Sequence, residues 1–234
     1  MFAAVSLSAA FEEMADTFRV HHPGTQVQFN FAGTPTLMLQ LVQGAQADVF
    51  ASADQPWMAA ARDSGYVAGN PLIFAHNALV VIVPAANPGH IERIEDLVRP
   101  GLKLVLAGET VPAGRYARQV FERLANTNGM PREFDKRVLR NVASNEENVK
   151  GVLTKVALGE ADVGVVYESD ITAADGERVK RIPIPEDAGI VAVYPIAALT
   201  RAKDPALARA FVDLVMTGNG QRVLIRHGFR SPPI

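Results

Sequence analysis

The sequence predicts an α/β fold built around mostly parallel sheets. Short apolar runs of strand length alternate with segments of helical periodicity along almost the whole chain, and this alternation is typical of α/β units. The chain has 234 residues, of which 48% are hydrophobic and 21% charged, so it can bury a substantial core. It contains no internal repeat and no low-complexity linker, so composition alone marks no domain boundary.

The first third of the chain is predicted to contain three strand–helix pairs. In order, we expect a strand at 2–5, a helix at 8–20, a strand at 27–32, a short helix at 36–43, a strand at 47–53 and a helix at 55–64. One face of the first helix carries the apolar residues Ala10, Phe11, Met14 and Phe18. Gly44 follows the second helix, where glycine is preferred just past the last turn.

The rest of the chain continues the alternation. We expect strands at 77–88, 102–108, 137–143, 161–170, 179–185 and 190–199, and helices at 114–125, 148–158 and 205–216 with a short helix after Gly218. The strand at 137–143 is the stretch RVLRNVA.

Several classes of function are disfavoured by what the sequence lacks. The net charge of −2 argues against nucleic acid or an anionic membrane as a partner, and the absence of cysteine excludes disulfides, thiolate zinc sites and a cysteine nucleophile. The five histidines are scattered, so we expect no direct cation ligands. No GxxxxGK[ST], GxGxxG, HExxH or GxSxG motif is present. The chain begins inside an apolar strand, so we expect a signal segment to be absent from this sequence.

The strand-to-helix joints are rich in small and hydroxyl residues, and ligands of α/β sheets bind at such joints. We predict that Thr34 is the N-cap of its helix with Pro35 at position N1, and that Val111 and Pro112 have these roles in a later helix. Helix starts carry about half a positive charge and unpaired N–H groups. Several that converge would therefore form an anion site without a cation, whereas capping alone explains any one joint.

Four motifs in order resemble those of the periplasmic molybdate-binding proteins of molybdate ABC transporters. They are FAAVSLSAAFEEMADTF at 2–18, GAQADVFASADQPWM at 44–58, VPAGRYA at 111–117 and NVKGVLTKVALGEADVGVVYESD at 148–170. The first is close to the family pattern FAAASLxxAFxxxAxxF, and the resemblance extends over essentially the whole chain.

This resemblance implies the type II periplasmic binding-protein fold. In that fold, two α/β lobes with mixed, mostly parallel sheets are joined by crossover strands, and the oxyanion is bound in the cleft between the lobes. By analogy, the first lobe comprises residues 1–79 plus 194–234 and the second comprises 80–193. Binding is expected to close the lobes by a hinge motion.

The resemblance also implies which residues bind the ligand. The positions that match the family are Ser6, Thr34, Ala113, Val149 and Tyr167. The side-chain hydroxyls of the first two and of the tyrosine would donate, together with the backbone N–H groups of the alanine and the valine. Thr36 and Gly114 are secondary candidates through their N–H groups.

Two features of the sequence bear on this ligand set. The family has serine at position 34 and serine or glycine at 35, whereas this chain has Thr34 and Pro35, and proline has no N–H to donate. The role of Val149 requires its helix to start after Asn148. A capping box formed by Ser144 and Glu147 would instead start that helix near residue 145.

The implied function is high-affinity binding of molybdate and tungstate and delivery to the permease of an ABC importer. We expect a monomer in the periplasm or another extracytoplasmic compartment, with no cofactor, no catalysis and no nucleic acid. One alternative is a receptor of the same fold for sulfate or another tetrahedral oxyanion. A bilobal enzyme such as porphobilinogen deaminase would need a cofactor-bearing cysteine, and the sensor domain of a transcription regulator would need a helix-turn-helix or basic segment; neither is found here.

Overall fold

The computed structural model describes residues 1–232, which form two compact units. Unit 1 comprises Met1–Asn77 and the chain from Ala192 onward, and unit 2 comprises Ala78–Val191. The predicted lobe limits of 79 and 194 each differ from these bounds by two residues. Strands β4 (Leu72–Pro84) and β9 (Val191–Ala198) each contain one of the two boundaries, so each contributes residues to both units.

Unit 1 contains a mixed sheet with helices packed on it. Its remaining elements are β1 (Phe2–Ala4), α1 (Ser8–His21), β2 (Asn30–Ala32), α2 (Thr34–Val42), β3 (Val49–Ala51), α3 (Gln55–Asp63), α8 (Pro205–Met216) and α9 (Gly218–Arg226). Strand β1 pairs in parallel with β2 and β3, and β9 is antiparallel to β3. Ala4 lies opposite Ala32 and Ala3 opposite Ala51, so the three parallel strands end at one edge of the sheet.

An aromatic cluster fixes α1 within unit 1. The ring centroid of Phe11 lies 5.7 Å from that of Phe211 and 5.8 Å from that of Phe74, and Phe18 lies 5.4 Å from Phe211. Such aromatic pairs contribute about 0.5–1.5 kcal/mol beyond burial alone. The apolar face predicted for this helix is buried, so the prediction is confirmed. Packing of α1 also fixes the position of the 3-10 turn Val5–Leu7 that precedes it.

Unit 2 contains a second α/β sheet. Its elements are β5 (Leu104–Ala107), α4 (Pro112–Ala125), α5 (Phe134–Leu139), β6 (Val142–Glu146), α6 (Val149–Ala157), β7 (Val163–Tyr167), α7 (Ala173–Gly176) and β8 (Val179–Ile182). Strand β5 lies between β7 and β6 and is parallel to both, while β4 is antiparallel to β7 and β8. The strands β5, β6 and β7 therefore present their carboxyl ends at one edge.

The stretch RVLRNVA at 137–143 is predicted as a strand; this is wrong for 137–141 and correct for Val142 and Ala143. Helix α5 ends at Leu139 and strand β6 begins only at Val142. Phe134 and Val138 are both fully buried, and their spacing of four residues places them on one helical face. The helix is not predicted because Phe134, the first of these two buried residues, lies before the stretch that was interpreted as a strand.

The helix bounds otherwise lie close to those predicted. Helix α8 has the predicted bounds of 205 and 216, whereas α4 begins at Pro112, two residues before the start at 114 read from its periodicity and at the position expected from its proline. Within residues 1–232, no helix is both long enough and apolar enough to cross a membrane.

Candidate functional site

The carboxyl edge of the unit 1 sheet brings three strand-to-helix joints together. Ser6 follows β1, Thr34 follows β2 and Ala53 follows β3, each by two residues. Because the three strands are parallel neighbours, these joints are adjacent at one edge. The structure thus brings the predicted residues Ser6 and Thr34 together within unit 1.

Thr34 is the first residue of α2 and not its N-cap. The N-cap is Gly33, whose backbone is extended and whose carbonyl accepts the N–H of Leu37 at 3.1 Å. Pro35 is therefore the second residue of the helix and not, as predicted, the first. The prediction is wrong because the Thr34 hydroxyl is engaged elsewhere: its Oγ1 accepts the backbone N–H of Ala53 at 3.3 Å. The side chain is buried, with 1% of the residue exposed.

The joint after β3 is rigidly built around Asp54. The Asp54 carboxylate caps α3 by accepting the Trp57 N–H at 3.0 Å. The Ser52 hydroxyl donates to the Asp54 carbonyl oxygen at 2.7 Å. Both residues are fully buried, so together they hold the intervening Ala53 N–H in position toward Thr34.

Ser6 is connected to two residues far away in the chain. It lies in the 3-10 turn Val5–Leu7, and its Oγ is 3.0 Å from the phenolic oxygen of Tyr194. The Nδ2 group of Asn77 donates to the same phenolic oxygen at 3.4 Å. Sequence reasoning missed Tyr194 and Asn77, because no local motif connects Ser6 to a residue 188 positions away.

Helix α4 begins as predicted from its proline. Val111 is the N-cap with an extended backbone, and Pro112 follows at the first helical position. Ala113 and Gly114 therefore lie in the first turn, where N–H groups have no carbonyl partner within the helix. A Cβ added to Gly114 would overlap the carbonyl oxygens of Ala107 and Gly108, so glycine lets α4 start directly against the end of β5.

Helix α6 begins at Val149, as its predicted role requires. Asn148 is the N-cap, and its Oδ1 accepts the Gly151 N–H at 3.1 Å. The alternative capping box at Ser144 is wrong, because Ser144 lies in β6 opposite Val105 and its backbone is extended. The Val149 N–H is thus at the first helical position, without an intrahelical acceptor.

Tyr167 ends strand β7 beside a buried carboxyl group. Its backbone N–H donates to Asp170 Oδ2 at 2.9 Å, and both residues are buried. Burial raises the pKa of Asp170 to about 7, against smaller lowering effects of the Tyr167 N–H and the Lys150 charge. Within residues 1–232, Asp170 Oδ1 has no hydrogen-bond partner. Sequence reasoning placed Asp170 in a family motif and assigned it no role.

The predicted ligand residues form two sets, one at the sheet edge of each unit. Ser6, Thr34 and Thr36 belong to unit 1, whereas Ala113, Gly114, Val149 and Tyr167 belong to unit 2. All of them offer neutral hydroxyl or N–H donors. Among residues 1–232, no group of three or more histidine, cysteine, aspartate or glutamate side chains could hold a metal ion. Each set is suited to an anion that accepts hydrogen bonds.

Comparison with known proteins places the chain among solute receptors. Residues 1–230 match the model of the family described as bacterial extracellular solute-binding protein. The molybdate-binding protein ModA of Mycobacterium tuberculosis is 42% identical over 232 residues, covering 99% of this chain and 84% of the relative.

Two solved structures have a similar fold. The periplasmic molybdate-binding protein of Azotobacter vinelandii matches with a TM-score of 0.84 at 21% identity, over 99% of this chain and 98% of its own. The sulfate-binding protein SubI of Mycobacterium tuberculosis matches with a TM-score of 0.85 at 18% identity, over 98% of this chain and 85% of its own. The predicted α/β fold of the type II periplasmic binding proteins is confirmed.

Proposed function

Because the chain belongs to the bacterial extracellular solute-binding proteins, and among them to the molybdate-binding ModA proteins, we propose that it binds molybdate and delivers it to an ABC importer. The observation that carries this proposal is the presence of two sets of neutral donors at the sheet edges. We propose that Ser6, Thr34, Ala113, Val149 and Tyr167 bind one oxyanion, assisted by the N–H groups of Thr36 and Gly114.

The donor set suits the chemistry of molybdate. At neutral pH, molybdate is a tetrahedral dianion with four acceptor oxygens and no proton. A hydrogen bond from a neutral donor to a charged acceptor contributes about 1.5–3 kcal/mol, so about seven such bonds exceed the cost of association and support a dissociation constant below about 1 µM. The helix starts at Ala113 and Val149 add positive potential without a cation.

The same set disfavours phosphate. Hydrogen phosphate carries a proton and requires an acceptor in its site, whereas every proposed contact group is used as a donor. The Asp54 carboxylate serves as the cap of α3 and is not among the proposed contact groups. Tungstate has the same charge and almost the same size as molybdate, so we propose that both bind similarly.

Sulfate is the second candidate ligand. The structural match to SubI, a sulfate-binding protein, shows that this fold occurs in a receptor with that name. Sulfate is also a tetrahedral dianion, but it is smaller than molybdate, so the donors have to approach more closely to bind it. Discrimination between the two anions therefore depends on cavity size.

Calorimetric titration with molybdate, tungstate, sulfate and phosphate tests the proposal. We expect similar, tight binding of molybdate and tungstate, much weaker sulfate binding and no measurable phosphate binding. Sulfate binding as tight as molybdate binding would overturn the specificity, and no binding of any oxyanion would overturn the receptor function.

We further propose that the protein acts outside the cytoplasm as a monomer, without cofactor, nucleic acid or catalytic step. The relatives are named as binding proteins, which supports a receptor role in partnership with a membrane permease. Light scattering of the purified protein with and without molybdate tests the monomer, and a stable dimer in either state would contradict it.

A further inference from the structure

Three buried polar side chains of unit 1 form a hydrogen-bonded chain that ends on a proposed ligand residue. Asn77 Nδ2 is 3.4 Å from the Tyr194 phenolic oxygen, which is 3.0 Å from Ser6 Oγ. Asn77 and Tyr194 are fully buried, and 8% of Ser6 is exposed. The three residues come from β4, β9 and the turn after β1, so tertiary packing alone brings them together.

The chemistry of the three groups determines which of them donates in each hydrogen bond. The Nδ2 group of asparagine can only donate, so the Tyr194 oxygen accepts from it. A buried phenol also requires an acceptor for its own proton, and Ser6 Oγ lies within reach. A phenol is a stronger acid than an aliphatic alcohol, which favours donation from Tyr194 to Ser6. The Ser6 oxygen then accepts from inside the protein, and its proton remains to be donated outward.

The same logic applies to Thr34 through a different partner. The Ala53 N–H can only donate, so Thr34 Oγ1 accepts it. The proton of Thr34 is thereby also left for another acceptor. In each of these two hydroxyl groups, a buried group behind the oxygen donates to it, and the hydroxyl proton is left for an acceptor on the other side.

We infer that Tyr194 and Asn77 are positioning residues that orient the Ser6 hydroxyl so that its proton is donated to the bound oxyanion. This inference rests on the proposed function, because it concerns the hydroxyl of a proposed ligand residue. Its consequence is selectivity: a hydroxyl oriented in this way donates to an unprotonated oxyanion, and it offers a protonated oxyanion only the remaining lone pair of its oxygen.

A double-mutant cycle tests this inference by calorimetry with molybdate. We expect Tyr194→Phe to weaken molybdate binding by roughly 5- to 30-fold, because the Ser6 hydroxyl is no longer held toward the ligand and most of its hydrogen bond to the charged group is lost. We expect Ser6→Ala to weaken binding at least as much. In the Ser6→Ala background, Tyr194→Phe should change the affinity by less than about twofold, because the hydroxyl that it orients is absent.

A second variant reverses the donors and acceptors of the hydrogen-bonded chain. At a pH high enough to ionise this buried carboxyl group, Asn77→Asp presents a carboxylate that can only accept, so Tyr194 would donate to it and Ser6 would donate to Tyr194. We expect this near-isosteric change to weaken molybdate binding as much as Tyr194→Phe does and to lower the ratio of molybdate to phosphate affinity. Thermal unfolding of each variant identifies any that fail to fold, and the Tyr194→Phe cycle decides the question without Asn77→Asp.

The outcomes separate this inference from the proposed function. If the unmodified protein binds no oxyanion, the proposed function fails. If Ser6→Ala weakens molybdate binding but Tyr194→Phe has no effect, or has the same effect with and without Ser6, the function stands and the positioning role is overturned.

Discussion

The hydroxyl oxygen of Thr34 accepts the backbone N–H of Ala53 at 3.3 Å. This contact joins the helix that follows β2 to the joint that follows β3, and it removes Thr34 from the capping of its own helix. The hydroxyl proton is consequently directed away from the Ala53 amide, as a ligand donor requires.

Thr34→Ala should weaken molybdate binding by about 1–2 kcal/mol, because one donor to a charged acceptor is lost. It should also lower the free energy of unfolding, since the buried Ala53 N–H loses its acceptor. Thr34→Ser keeps the hydroxyl and should retain the affinity. Thr36→Ala is the matched control, because the exposed Thr36 side chain is removed while its N–H remains. Equal affinity of Thr34→Ala and the unmodified protein in calorimetry would contradict the role of Thr34.

Val149→Pro removes the backbone N–H proposed to bind the oxyanion and also replaces the buried valine side chain. Proline is favoured at the first helical position, and the preceding Asn148 is extended, with φ −158° and ψ 170°, as a residue before proline must be. We expect a roughly 5- to 30-fold weaker affinity for molybdate. Val149→Ala retains the N–H and should bind molybdate normally, although the loss of a buried side chain lowers its stability. The idea fails if the proline variant folds and binds as tightly as the alanine variant.

Asp170→Asn should change how stability depends on pH. The folded-state pKa of about 7 lies above the ordinary aspartate value of 3.8, so the folded protein binds more protons than the unfolded chain between these values. The stability contributed by protonated Asp170 is present below the unfolded pKa and is lost as the pH rises through about 7. Urea unfolding from pH 4 to 8 should show a decline for the unmodified protein relative to Asp170→Asn, with a limiting slope of about 1.4 kcal/mol per pH unit. Parallel profiles for the two proteins would refute this prediction.

Gly114→Ala should disturb the start of α4. The new methyl group would overlap the carbonyl oxygens of Ala107 and Gly108, so the first helical turn has to move. We expect the free energy of unfolding to fall by about 1–3 kcal/mol and molybdate binding to weaken, since the Ala113 N–H moves with the turn. Gly176→Ala is the matched control, because nothing lies within 4 Å of its added Cβ. Denaturant unfolding and calorimetry of both variants check the prediction, which is contradicted if the two behave alike.

Local chemistry explains which predictions about the elements succeeded. Pro112 and Asn148 begin α4 and α6 because a fixed φ and a side-chain acceptor act within one turn. The stretch RVLRNVA was mispredicted because it spans a helix end and a strand start, and its apolar residues suit either element. The N-cap of α2 was mispredicted because the tertiary partner of Thr34, the Ala53 N–H, outweighs the intrinsic preference of threonine for capping.

The sequence by itself determined the alternation of strands and helices, the family and the residue types that could meet an oxyanion. These follow from periodicity and ordered motifs, which depend on neighbours along the chain. Only the tertiary structure decided what lies behind each hydroxyl: Ala53 behind Thr34, and Tyr194 with Asn77 behind Ser6. Hydrogen bonds act over about 3 Å of space, whereas Ser6 and Tyr194 are 188 residues apart, so only folding brings Tyr194 behind Ser6.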